Sequence, residues 1–157
     1  SAYYVKALNG DQTELGNCNL IGAFSSTAGG GESPYKRTTS FVIACSDETT
    51  ALTTGTAKVT FRMPYSYTLD SVRASLTGAG GASGTTTIDI NEGGSTILST
   101  KITIDYGDLT SVGASAAPVI SDSSLASDAQ MTIDIDALTG DADETGLKVY
   151  LIGNKTL

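Results

Sequence analysis

The sequence predicts an all-β chain: an antiparallel β-sandwich, jelly-roll-like, with an N-terminal extension contributing extra strands. Three observations carry this expectation. Apolar residues alternate with polar ones at period two in short runs, and no segment sustains the 3.6-residue period of a helix. Eighteen Gly and three Pro, with abundant Ser and Thr, imply short strands and frequent turns. Hydrophobic residues make up 39%, but aromatics only 6%, and Trp is absent, which suits a thin aliphatic core better than a large α/β enzyme. At 157 residues the chain fits one domain with an extension, divided as 1–56 and 57–157.

In chain order, residues 1–8 form a short extended run able to pair at a sheet edge or with a neighbouring chain. Asn9-Gly10-Asp11 is a turn signal, and 17–24 is a second candidate strand. Residues 25–34 hold Gly29-Gly30-Gly31 without the Gly-Lys-Ser/Thr of a phosphate cradle, so they read as a loop. Residues 38–45 predict a strand with Phe41, Ile43 and Cys45 on one face, and the Thr-rich stretch 49–56 links the two halves. The sandwich domain should open with 57–63, where Val59, Phe61 and Met63 face one way and Pro64 ends the run. Strands are then expected at 69–76, 85–91, 95–105, 117–121, 130–137 and 146–153. Asn91-Glu92-Gly93-Gly94 supplies the positive φ of a tight hairpin turn. The repeated Thr-Ile-Asp-Ile of 87–90 and 132–135 should turn Ile inward and Thr or Asp outward. The expected core is Val59, Phe61, Val72, Leu76, Ile88, Ile90, Ile133, Ile135, Leu147 and Val149.

Composition excludes several functions. A net charge of −8 argues against nucleic-acid backbone binding, which needs clustered Lys and Arg. No apolar run nears the ~20 residues of a spanning helix, so no membrane partner is expected. No charged-then-apolar signal segment opens the chain. With no His there is no ordinary Ser–His or Cys–His pair, and Cys18 and Cys45 cannot alone hold zinc. Both are expected as buried thiols rather than a disulfide, because cytosolic assembly disfavours the bridge. Asp134 and Asp136 on one strand face lie ~6.5–7 Å apart, a spacing compatible with glycosidase carboxylates, but no aromatic cleft accompanies them. No enzymatic activity is therefore expected. Asp141-Ala142-Asp143-Glu144-Thr145-Gly146 begins like a calcium loop, yet the position of the closing Glu is Ile152. A solvated acidic hairpin is expected there, and no cofactor or metal site.

Four segments carry a resemblance: FRMPYSYTLDSVRASLTGAG, TTTIDINEGGSTILSTKITID, APVISDSSLASDAQMTIDID and TGLKVYLIG. In order and spacing, over residues 57–153, they resemble a β-rich domain of bacteriophage virion surface proteins, found at the C-terminal ends of tail fibres and in head decoration proteins. The resemblance implies a structural protein of the phage particle: a head decoration or capsid surface protein of cement or short-fibre type. It places the chain in the virion, assembled in the host cytoplasm. Its implied partners are the phage capsid or neighbouring virion proteins and copies of itself, taken as a trimer. The unmatched N-terminal part would then grip the virion, through Tyr3, Tyr4, Val5, Phe24, Tyr35, Lys36 and Arg37, since aromatics favour interface cores. The alternative is a receptor-binding tip of a tail fibre or spike, whose loops 78–84, 107–117 and 139–146 recognise a host glycan or protein.

Overall fold

The computed structural model describes residues 38–156. Eleven strands occur in this part: β1 (Thr39–Ala44), β2 (Gly55–Arg62), β3 (Tyr67–Ser75), β4 (Thr85–Glu92), β5 (Ser95–Thr96), β6 (Leu98–Thr100), β7 (Ile102–Asp105), β8 (Val119–Ile120), β9 (Ser124–Leu125), β10 (Gln130–Ala137) and β11 (Lys148–Lys155). Strands account for 53% and no helix is present among the described residues, so the chain is all-β. One sheet runs β1-β11-β3-β9; the other runs β2-β10-β4-β5, with β7 also pairing β4. A two-stranded sheet, β6-β8, completes them, and every pairing is antiparallel. The sheets curl as a half-barrel.

Period-two alternation explains how the sheets share one core. From the first sheet come Tyr67, Leu69, Val72, Ala74, Val149 and Leu151; from the second come Ile88, Ile90, Ile102, Ile104, Met131, Ile133 and Ile135. Each fully buried Ile or Leu contributes about 1.5–3 kcal/mol relative to exposure. Of the expected core, Val72, Leu76, Ile88, Ile90, Ile133, Ile135, Leu147 and Val149 are buried. Val59 and Phe61 are only half-buried and pack against the core margin. Among the described residues their strand, β2, pairs with β10 alone and forms the edge of its sheet. Among the described residues Tyr67 is the one fully buried aromatic; its hydroxyl donates to Thr39 O at 2.7 Å, which satisfies the polar end inside the core. Its ring meets Phe41 edge-on at 5.1 Å between centroids.

Two irregularities depart from simple alternation. In β3, Leu69 and Val72 both face inward although three residues apart. The register between β11 and β3 shifts at Ile152/Gly153, so β3 carries an extra residue there and the parity resets. Gly153 makes this possible: a Cβ on it would lie 2.0 Å from Thr68 O. The second irregularity replaces the single strand expected over 95–105. Gly93 and Gly94 take positive φ and turn β4 into β5. The chain then arches away through β6, which pairs with β8, and returns to β4 as β7. Between Asn91↔Thr96 and Ile88↔Ile102, three steps along β4 face six along its partner. No unbroken strand can accommodate that.

β1 lies within the span the sequence assigns to the extension, and it pairs along its whole length with β11. Among the described residues the first sheet thus takes in β1, a strand contributed from that extension. Cys45 follows β1 as a buried free thiol, and its burial pushes the pKa up to about 12. Cys18 and the candidate strands 1–8 and 17–24 lie outside the described residues. Leu151→Ala, at the centre of the first sheet, should cost about 2–5 kcal/mol in denaturant unfolding. Phe61→Ala should fall below the ~3–5 kcal/mol of a fully buried Phe; an equal or larger loss would contradict its position at the margin.

Candidate functional site

Antiparallel order sends four connections to the same end of the sheets. They are 45–54 after β1, 76–84 after β3, 106–118 after β7 and 138–147 after β10. Backbone bonds knit them together. Thr77 N–H donates to Thr145 O at 2.9 Å, and Thr145 N–H returns to Gly78 O at 3.1 Å. Gly107 N–H donates to Gly80 O at 2.7 Å, Gly140 N–H to Ser83 O at 2.9 Å, and Leu76 N–H to Leu109 O at 2.9 Å. Leu52 N–H reaches Glu144 O at 2.8 Å, and Gly146 N–H reaches Asp47 O at 3.1 Å. The three loops expected as a recognition tip are thus brought together, joined by a fourth, 45–54.

Glu144 lies at the centre of this pole. Its side chain is fully buried, and Oε1 accepts from Thr86 Oγ1 at 2.7 Å and Thr139 N–H at 2.7 Å. Its other oxygen, Oε2, is buried with no partner among the described residues. Gly80 allows the loops to close on it: a Cβ there would sit 2.0 Å from Thr139 Oγ1 and 2.8 Å from Glu144 Oε1. Burial pushes the carboxyl pKa up, but the bonds from Thr86 and Thr139 outweigh it and hold the group below its ordinary value. The hairpin 141–146 is therefore not a solvated acidic turn throughout. Asp141 and Asp143 are exposed, while Glu144 turns into the protein.

The neighbouring carboxylates are engaged one by one. Gly81 N–H donates to both oxygens of Asp141 at 3.1 Å, and Thr139 Oγ1 donates to one of them at 3.0 Å. Burial again opposes, yet the Asp141 pKa is lowered by these bonds. Glu48 is lowered chiefly by Lys148, whose Nζ lies 2.6 Å away, with Thr77 Oγ1 as a second donor. Asp47 caps a turn: Thr50 and Thr49 N–H donate to Oδ1 at 2.6 and 2.8 Å, which lowers its pKa to about 2. Among the described residues, no three His, Cys, Asp or Glu side chains come together as a metal-holding group.

Asp134 and Asp136 likewise have separate partners. Asp134 accepts from Ala57 N–H at 2.7 Å and Asn91 Nδ2 at 3.1 Å. Asp136 pairs with Lys101 at 2.5 Å, and Lys101 also lies 3.0 Å from Asp89. Asp89 points away from the core as expected, yet it is buried. Thr96 Oγ1 and the arch that carries Lys101 cover it. Period two shows which way a side chain points and not what arches over it, so both Asp89 and Glu144 escape sequence reasoning.

Exposed apolar side chains collect in one loop of the pole: Tyr106 is 57% exposed, Leu109 49% and Val112 58%. The expected contact residues Tyr3, Tyr4, Val5, Phe24, Tyr35, Lys36 and Arg37 lie outside the described residues. No family model, curated protein or solved structure matches this chain.

The four lowered carboxyls contribute stability that is complete above their unfolded range of ~3.9–4.3. That stability is lost as pH falls through the lower folded values. Melting temperature should therefore hold between pH 7 and ~5 and decline below ~4. Glu144→Gln, which mimics the protonated acid, should flatten that decline by lowering the melting temperature at neutral pH towards its acid value, whereas Glu144→Ala should cost about 1–3 kcal/mol by stranding the Thr86 hydroxyl and Thr139 N–H. An unchanged acid profile in Glu144→Gln would remove Glu144 from this account. EDTA should leave the melting temperature unchanged. A fall of several degrees restored by calcium but not magnesium would reveal a cation site at 141–146.

Proposed function

We propose that this chain is a non-enzymatic structural protein of a bacteriophage particle, a head decoration or capsid surface protein of cement or short-fibre type. The carrying observation is the ordered four-segment resemblance over residues 57–153. Its segments supply β3, β4 through β7, β8 through β10, and most of β11, hence both main sheets apart from β1 and most of β2. On this reading the two sheets form a jelly-roll-like sandwich used as a rigid spacer. The partners are capsid or neighbouring virion proteins and further copies of the chain, and the protein resides in the virion. Residues Tyr3, Tyr4, Val5, Phe24, Tyr35, Lys36 and Arg37 make the virion contact. Dividing the labour this way leaves the sheets free to face outward.

The loop pole favours a second reading, the receptor-binding tip of a tail fibre or spike. Three loops expected to act together do share one end, and Tyr106, Leu109 and Val112 are presented there to solvent. Sugar recognition leans on exposed aromatics, and Tyr106 is an exposed ring at this pole. Copy number per particle separates the readings. A stoichiometry comparable with the capsid protein supports decoration, one comparable with tail fibres supports the tip, and absence from purified particles overturns both.

Docking gives the corresponding prediction. Full-length chain offered to particles lacking it should bind. Tyr3→Ala with Tyr4→Ala and Phe24→Ala should weaken binding at least ~10-fold, as loss of aromatic anchors does. Tyr106→Ala with Leu109→Ala should leave it unchanged. The reverse pattern would move the docking surface to the loop pole.

A further inference from the structure

We propose that β1 is a pairing edge for a second copy of this chain, joining two first sheets across a two-fold axis at Val42. This inference does not rest on the virion reading. Its ground is a contrast between sheet edges. An exposed strand edge offers unpaired N–H and C=O groups to any other chain, and proteins blunt such edges with charge, bulges or brevity. Here β2 is blunted: Lys58 and Arg62 stand exposed on it, Ala57 has φ +48°, and its register with β10 shifts at Ile133/Ile135. The strands β5 and β9 are two residues each. Over β7, Ser115 N–H bonds Asp105 at 2.9 Å and Thr103 Oγ1 bonds Ala116 O at 3.0 Å, so the 115–116 stretch lies along it. The edge of β1 has none of these devices. Its six residues, Thr-Ser-Phe-Val-Ile-Ala, contain no charge and no Pro, and its register with β11 is unbroken. Among the described residues its other side is unpaired.

The ladder fixes which groups face outward. Cys45 N–H donates to Leu147 O at 2.8 Å, one step beyond the paired Ala44↔Lys148. Antiparallel pairs alternate between bonded and non-bonded, so Thr39, Phe41 and Ile43 bond to β11. Ser40, Val42 and Ala44 then direct their N–H and C=O groups to the open edge. A two-fold axis perpendicular to the sheet keeps the faces aligned and sets Val42 opposite its own copy, with Ser40 opposite Ala44. Each of these pairs exchanges two hydrogen bonds. Val42, 57% exposed on the outer face, meets its counterpart there, while Phe41 and Ile43 meet on the inner face.

A second copy is the occupant because the strand suits itself. Two chains each at −8 repel, and an edge without charge is where they can approach. In sequence β1 is preceded by Lys36-Arg37 and followed by Asp47-Glu48. The order of charges in the sequence, basic before β1 and acidic after it, favours an antiparallel pairing of two copies over a parallel one, which would run like charges together.

The test uses the full chain. Sedimentation across concentration should show a monomer–dimer equilibrium, and Val42→Lys should weaken it at least ~10-fold through like charges at the axis. Because Val42 faces solvent, the variant should keep the wild-type melting temperature at low concentration. Hydrogen exchange supplies the second readout. The amides of Ser40, Val42 and Ala44 should be slow at high concentration and fast in Val42→Lys. A monomer at all concentrations, a trimer, or a dimer indifferent to Val42→Lys would overturn the proposal. Slow exchange of these amides in a monomer would also overturn it, by showing that the chain's own N-terminal region occupies the edge.

Discussion

Strand β11 must be paired on both sides at once, and most of the first sheet depends on this. Its partners, β1 and β3, come from the opposite end of the described chain. They do not pair with each other; β11 lies between them, and only side-chain contacts such as Tyr67 on Thr39 and Phe41 reach across it. The fit is narrow at Gly153, where the neighbouring backbone leaves no room for a side chain. Satisfying the backbone groups of β11 therefore fixes the strand order, and that order directs the four long connections to one pole.

Much of this architecture is legible in the residues because burial of one face imposes period two. Val149 and Leu151, Ile133 and Ile135, Ile88 and Ile90 each announce a strand and its inward face. What escapes is whatever depends on a distant segment. The break in 95–105 follows from the pairing of Leu98 with Ile120, which no local pattern contains. Phe61 reads as core by alternation and is half-buried because, among the described residues, no strand flanks β2 on its open side. The resetting of parity between Leu69 and Val72 is visible in the sequence once a bulge is allowed, and Gly153 on the partner strand is its only other trace.

The site divides in the same way. The loops 78–84, 107–117 and 139–146 are recognisable by their Gly, Ser, Thr and Asp content, and the structure does gather them. Glu144 is not recognisable, since an acidic residue in an acidic turn looks solvated. Its burial depends on Thr86, a residue of another strand, and on Gly80, whose missing side chain leaves the space. The pole thus consists of exposed side chains resting on a small, buried and hydrogen-bonded polar interior. Such a division lets outward-facing residues vary while the loop backbones keep their course.

Cys45 has a practical consequence of the same burial. A thiol held near pKa 12 exists almost wholly as SH at neutral pH, and the thiolate is the reactive form. Alkylating reagents and oxidants must wait until the exit of β1 comes away from β11. The rate at which Cys45 is modified consequently clocks the opening of the first sheet, giving a covalent record of how often that edge unzips.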